Sequence, residues 1–160
     1  MRLPFLDRRE EHSRLTRAFS RKTSTLCCLY GRRRCGKSRL LQEVLPADRS
    51  VYFVADERES PLQRAALAQA MASILPNFDA VSYPDWSSLL ERWWQESPAN
   101  TILALDEFPY LVQGSPELPS LLQKLVDRGH DKARHVVLCG SSQRMMHGLV
   151  LDAAALLYGG

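Results

Sequence analysis

Apolar and polar positions alternate along this chain in two rhythms. Short runs of apolar, β-branched and aromatic residues have the length of strands: "STLCCLY" (24–30), "SVYFVA" (50–55), "TILALD" (101–106) and "HVVLCG" (135–140). Between them, apolar residues recur at helical spacing over residues 9–21, 37–44, 61–75, 86–96 and 118–128, and 142–151 is a further candidate helix. Pro61 suits the first turn of the third helix, where its missing N–H costs nothing. Strands alternating with helices predict an α/β fold around a mainly parallel sheet. Trp86 and Trp93 share a helical face with Leu89 and Leu90, a pattern that reads as core packing ahead of a stacking surface for bases. No internal repeat or low-complexity linker interrupts the pattern, so residues 1–160 read as one domain.

The junction between the first strand and the second helix carries chemistry. "GRRRCGKS" (31–38) satisfies G-x-x-x-x-G-K-[ST], with the apolar run before it and the helical run after it that a phosphate-binding loop requires. Glycines let the backbone curl so that successive N–H groups face phosphate oxygens, and the helix start adds its positive dipole end. The candidate nucleotide-binding residues are therefore Gly31, Arg32, Arg33, Arg34, Cys35, Gly36, Lys37, Ser38 and Arg39. Lys37 can reach the β- and γ-phosphates, and the Ser38 hydroxyl can coordinate Mg2+. Arg32, Arg33 and Arg34 have three open roles: neutralising phosphate, meeting a partner chain, or standing in solvent.

About 70 residues downstream, "TILALDEF" is an apolar strand ending in two adjacent carboxylates. In a nucleotide site Asp106 would hold the Mg2+ complex and Glu107 would accept a proton from the attacking water. The competing reading is an aspartate that caps a turn after a buried strand. An acid placed directly after the metal aspartate suits hydrolysis better than phosphoryl transfer to a bound acceptor. "HVVLCGSS" ends in Ser141 and Ser142, where a hydroxyl could sense the γ-phosphate, although serines after glycine are also ordinary turn chemistry. Lys37, Glu107 and Ser141 are the catalytic candidates, with Ser38 and Asp106 as metal ligands.

In order along the chain, "FLDRREEHSRL", "LYGRRRCGKSRLL", "WSSLLERWW", "LALDEFPYLV" and "VLCGSSQRMMHGLVLDAAALLYG" resemble the archaeal-type ATPases, a P-loop branch close to the AAA+ and STAND NTPases. The resemblance implies a three-layer, additional-strand P-loop NTPase fold with sheet order 5-1-4-3-2, binding ATP and Mg2+. It implies that Asp106 and Glu107 take the roles above, that Ser141 or Ser142 lies near the γ-phosphate sensor position, and that Phe5 and Arg8 pack near the adenine. Two departures stand out. Family members usually read "PLYGR" where this chain reads "LLYGG" (156–160), and they continue through a fifth strand, a helical lid and a C-terminal module that in some resembles a DNA-binding or nuclease-like domain. The expectation is therefore an ATPase core truncated at its C-terminus, with strand 5 and the lid missing. Its first strand would then be an exposed sheet edge open to a second copy or a partner protein.

Composition narrows the rest. With 21 basic against 18 acidic residues, the net charge of +3 is too balanced for wholesale nucleic-acid binding, and the basic run inside the phosphate loop is poor support for DNA. No apolar stretch approaches the roughly 20 residues that span a bilayer, and no secretory leader precedes the acids Asp7, Glu10 and Glu11. Cys27, Cys28, Cys35 and Cys139 show no CxxC spacing and read as reduced thiols, and the four histidines show no ligand spacing. The expectation is a cytoplasmic protein outside any membrane, an ATP-binding core that hydrolyses ATP with Mg2+ in its complete form. The alternative is a nucleotide-binding switch or assembly module without hydrolysis.

Overall fold

The computed structural model describes residues 9–30, 36–128, 132–140 and the backbone of 155–158. The elements are α1 (Arg9–Phe19), β1 (Thr25–Tyr30), α2 (Lys37–Val44), β2 (Ser50–Val54), α3 (Ser60–Met71), α4 (Trp86–Glu96), β3 (Thr101–Asp106), α5 (Phe108–Gly114), α6 (Leu118–Asp127), β4 (Arg134–Gly140) and β5 (Ala155–Tyr158). A short 3-10 turn, Phe78–Ala80, links α3 to α4.

The strands form one sheet in the order β2-β3-β4-β1-β5. All pairings are parallel, with Thr25 opposite His135, Thr101 opposite Arg134 and Val54 opposite Asp106. This is the expected 5-1-4-3-2 arrangement, and the strands β1, β4, β3 and β2 correspond to the four apolar runs. The expectation that strand 5 is missing is corrected: "ALLY" pairs in parallel with β1, Cys27 lying opposite Ala155 and Tyr158 opposite Tyr30. β1 is thus hydrogen-bonded on both sides and is not an open edge for a partner. The correction has a simple cause, since four apolar residues give too short a signal to separate a strand from the tail of a helix.

Parallel strands are buried on both faces, so their side chains divide between two cores. One face presents Leu26, Cys28, Val51, Phe53, Leu103, Leu105, Val136 and Leu138 to α3, α4, α5 and α6. The other presents Cys27, Leu29, Ile102, Ala104, Val137 and Cys139 to α1 and α2 through Leu15, Phe19, Leu40 and Leu41. Trp86, Trp93 and Trp94 are all buried, which settles the aromatic helix as core rather than stacking surface. Phe78 meets Trp93 edge-on at 6.0 Å and stacks on Tyr83 at 5.2 Å, while the Trp86 indole N–H donates to Ser115 Oγ at 2.7 Å. Cys27, Cys28 and Cys139 are buried free thiols, and burial lifts the first two to about 11 and about 12.

Boundaries differ from expectation where turns compete with helix. α3 stops at Met71 rather than residue 75: beyond it the N–H groups of Ser73 and Ile74 bond carbonyls three residues back, Ala70 at 3.3 Å and Met71 at 3.0 Å, tightening the chain into a turn. α5 has no counterpart in the expected elements; its seven residues follow β3 so closely that strand and helix merge into one apolar run, with Pro109 in its first turn.

His135 joins β4 to β1, its Nδ1 lying 2.7 Å from Thr25 Oγ1, and it is 1% exposed. Burial first, then the charges of Arg49 and Arg21, lower its imidazole from 6.5 to about 4. A folded value below the ordinary one means that protons favour the unfolded chain. The stability this neutral ring contributes is present above pH 6.5 and is lost as pH falls through 4. The urea midpoint should therefore fall across that window, and the fall should be shallower in His135→Gln, as denaturation series at several pH values would record.

Candidate functional site

The parallel arrangement brings the C-terminal ends of β1, β3 and β4 to one edge of the sheet, where open α/β sheets place their ligands. Gly36 makes the entry to α2 possible: its φ of 90° lies in the left-handed region that costs glycine little. It also leaves the helix start without a side-chain cap, so the first N–H groups of α2 face outward at the positive end of the dipole. Lys37 and Ser38 are the first two residues of that helix.

The second contribution comes from the end of β3. Asp106 closes the strand, and Glu107 turns the chain into α5 with φ 53° and ψ 41°, a conformation few glutamates adopt. This turn allows the Glu107 N–H to donate back to Asp106 Oδ1 at 2.8 Å. It also brings the two carboxylates onto one cation: Lys37 Nζ lies 2.7 Å from Asp106 Oδ1 and 3.3 Å from Glu107 Oε1. Ser38 Oγ lies 3.5 Å from Asp106 Oδ2, which also accepts a hydrogen bond from the Tyr52 hydroxyl.

Lys37 and Asp106 are buried together, at 7% and 3% exposed. For Lys37, burial opposes the charge, but the hydrogen bond and charge of Asp106, with smaller help from Cys139 and Glu107, leave its basicity above the usual lysine value. For Asp106, burial again works against the charged form and is outweighed by the Lys37 and Tyr52 hydrogen bonds, the Lys37 charge and the Glu107 N–H, so its carboxyl sits below the usual range. Each ion is thus kept charged by the other. The Tyr52 phenol is pushed up, chiefly by burial and by donating to Asp106, and stays a neutral donor.

Of the expected site residues, the structure brings together Gly36, Lys37, Ser38, Asp106 and Glu107. Arg39 is not brought to this cluster: its Nε faces Glu43 Oε1 at 3.7 Å along α2, and its side chain is 66% exposed. Two positions along a helix carry residue 39 about 200° around the axis from Lys37, onto the opposite face of α2. Gly31, Arg32, Arg33, Arg34, Cys35 and Ser141 lie outside the described residues, as do Ser142, Phe5, Arg8 and the candidate helix 142–151. Sequence reasoning missed Tyr52, whose only sequence signal was its place in an apolar strand.

The donor set fits Mg2+. Ser38 Oγ and both Asp106 oxygens are hard ligands, and no group of three or more His, Cys, Asp or Glu among the described residues forms a metal cage. Mg2+ is commonly held in this way, by one or two protein oxygens together with phosphates and water.

Residues 5–159 match the family described as an ATPase domain predominantly from Archaea. The chain belongs to that family. It is also similar to the uncharacterized protein MJECL04 of Methanocaldococcus jannaschii, 29% identical over 157 residues, which are 97% of this chain and 34% of that protein. Three solved structures share the fold. Drosophila ORC bound to DNA gives a TM-score of 0.70 at 17% identity, covering 95% of this chain and 42% of that one. Aeropyrum pernix ORC1 in complex with DNA gives 0.62 at 20% identity, covering 96% and 45%. Aeropyrum pernix ORC2 in its ADPNP-ADP complexes gives 0.59 at 15% identity, covering 99% and 48%. This archaeal-type ATPase chain therefore spans about a third of its sequence relative and under half of each structural one. Family membership makes it an ATPase-domain core.

The pairing of Lys37 with Asp106 has a mechanical consequence. Asp106→Ala should leave the buried ammonium with only the longer Glu107 contact at 3.3 Å and destabilise the nucleotide-free protein by about 3 kcal/mol, measured by urea unfolding. Lys37→Ala should cost less, because Tyr52, Ser38 and the Glu107 N–H still serve the carboxylate.

Proposed function

We propose that this ATPase core binds ATP with Mg2+ and hydrolyses it to ADP and phosphate. The observation that carries the reading is the convergence of Lys37, Ser38, Asp106 and Glu107 at the start of α2, within contacts of 2.7 to 3.5 Å. Lys37 exchanges its two carboxylates for β- and γ-phosphate oxygens, keeping its charge in the new pairing. Ser38 and Asp106 hold the cation, which when bound neutralises charge on the phosphate oxygens. Release of Lys37 leaves Glu107 Oε1 able to orient a water and take its proton as the water oxygen bonds the γ-phosphorus and the bridging oxygen leaves with ADP. Ser141, outside the described residues, is assigned to sensing the γ-phosphate on the strength of its place after β4. Gly31, Arg32, Arg33, Arg34 and Cys35 are assigned to the loop over the phosphates on the strength of the loop sequence.

A second reading, a nucleotide-binding switch without turnover, draws on one observation: the glutamate assigned as base is engaged by Lys37 at 3.3 Å. The remaining proposals rest on less. Assembly with further copies or binding of DNA is suggested by the DNA-bound ORC structures that share the fold, and a cytoplasmic location by the buried free thiols. No helix among the described residues is long and apolar enough to cross a membrane.

The test is calorimetry of ATP binding with Mg2+, followed by phosphate release in the same samples. Lys37→Ala should weaken binding by about ten- to a hundredfold, the worth of a charged hydrogen bond. Glu107→Gln should bind ATP normally and release phosphate about a hundredfold more slowly or worse. Unchanged turnover in Glu107→Gln would remove it as the base, and binding without turnover in the parent chain would favour the switch.

A further inference from the structure

We infer that Tyr52 is a further positioning residue of this site, its hydroxyl holding the Asp106 carboxylate and Ser38 hydroxyl in the orientation that receives the nucleotide's divalent cation. The inference rests on the nucleotide reading above and adds a residue that neither the phosphate-loop pattern nor the paired acids contains.

Tyr52 comes from β2, two residues before the strand's end, and lies opposite Ala104 in the β2–β3 register, where Val54 lies opposite Asp106. Alternation along both strands therefore sets Tyr52, Ala104 and Asp106 on the sheet face covered by α2. The tyrosine packs against the Ile102, Ala104 and Leu40 cluster, which holds a rigid side chain with few rotatable bonds. Its hydroxyl reaches over the small Ala104 to donate to Asp106 Oδ2, and its oxygen lies 3.5 Å from Ser38 Oγ. Ser38 Oγ is itself 3.5 Å from the same carboxylate oxygen, so the three oxygens form a triangle built on Oδ2, while Lys37 binds Oδ1.

The division of labour between the two carboxylate oxygens is the telling feature. Oδ1 accepts from Lys37 and from the Glu107 N–H, and Oδ2 from Tyr52 and Ser38. When Lys37 turns to phosphate and Ser38 presents its lone pair to the cation, the carboxylate loses two of these four donors. Tyr52 and the Glu107 N–H are what remain to hold it. A neutral phenol suits that place because it orients the carboxylate without bringing a positive charge beside the cation. Groups of this kind, one step removed from the metal, commonly change metal affinity by about ten- to a hundredfold.

The test compares ATP affinity with Mg2+ and with EDTA, by calorimetry, for the parent chain and Tyr52→Phe, with urea unfolding run alongside. Tyr52→Phe should reduce the Mg2+-dependent gain in ATP affinity by about tenfold or more, while affinity in EDTA stays within about twofold. Mn2+ binding to the ATP-loaded protein, followed by electron paramagnetic resonance, should weaken in parallel. A Mg2+ gain equal to the parent's overturns the assignment, as does an equal fall in Mg2+ and EDTA, which would mark a structural role. A parent chain with no Mg2+ gain overturns this inference and the nucleotide–metal reading together, whereas a parent gain that Tyr52→Phe leaves intact overturns this inference alone.

Discussion

The ion pair between Lys37 and Asp106 is the constraint on which the rest of the site depends. It joins the first residue of α2 to the last residue of β3, across 69 positions of sequence, in a place almost closed to water. Two charges so placed are tolerable only as a pair with further polar neighbours around them, and Tyr52, Ser38 and the Glu107 N–H and carboxylate supply that compensation. In the nucleotide reading proposed above, the ammonium held by carboxylates exchanges onto phosphate, because the incoming oxygens replace the charge it gives up.

Around that pair the sheet acts as a rigid frame. Parallel pairing aligns β1, β3 and β4 so that their C-terminal ends meet at one edge, and burial of both faces leaves that edge as the place where polar chemistry can stand. β5 completes the frame on the outer side of β1, so the strand that precedes Gly36 and α2 is held from both sides. Two left-handed residues then aim the side chains: Gly36 starts α2, and Glu107 bends the chain out of β3. The first is conformationally easy for glycine, while the second accepts backbone strain and brings two acids onto one lysine.

Tyr52 shows how an edge strand can serve a site that it does not border in sequence. β2 forms one side of the sheet and contributes no residue to the loop or the acid pair, yet its register against β3 delivers a phenol to the aspartate. Ala104 makes room for it, which gives a small core residue a part in the chemistry.

The fold class, the four main strands and the adjacent acids at the end of β3 were legible in the chain because each is a local pattern: alternating apolar runs, and paired carboxylates after a strand. The order of the strands was legible only through family resemblance, since periodicity says nothing about which strand lies beside which. Short elements escaped, as "ALLY" and the seven residues of α5 did, because a few apolar residues support strand and helix equally well. Arg39 is adjacent in sequence to Ser38, and helical geometry sets it beside Glu43 rather than beside Asp106. Tyr52 joined the site through strand register, a relation between residues 52 and 106 that exists only after two strands have paired. The residue types for the chemistry were therefore written in the sequence, whereas their meeting at one buried carboxylate was decided by the tertiary structure, because only packing fixes distance and direction between segments far apart in the chain.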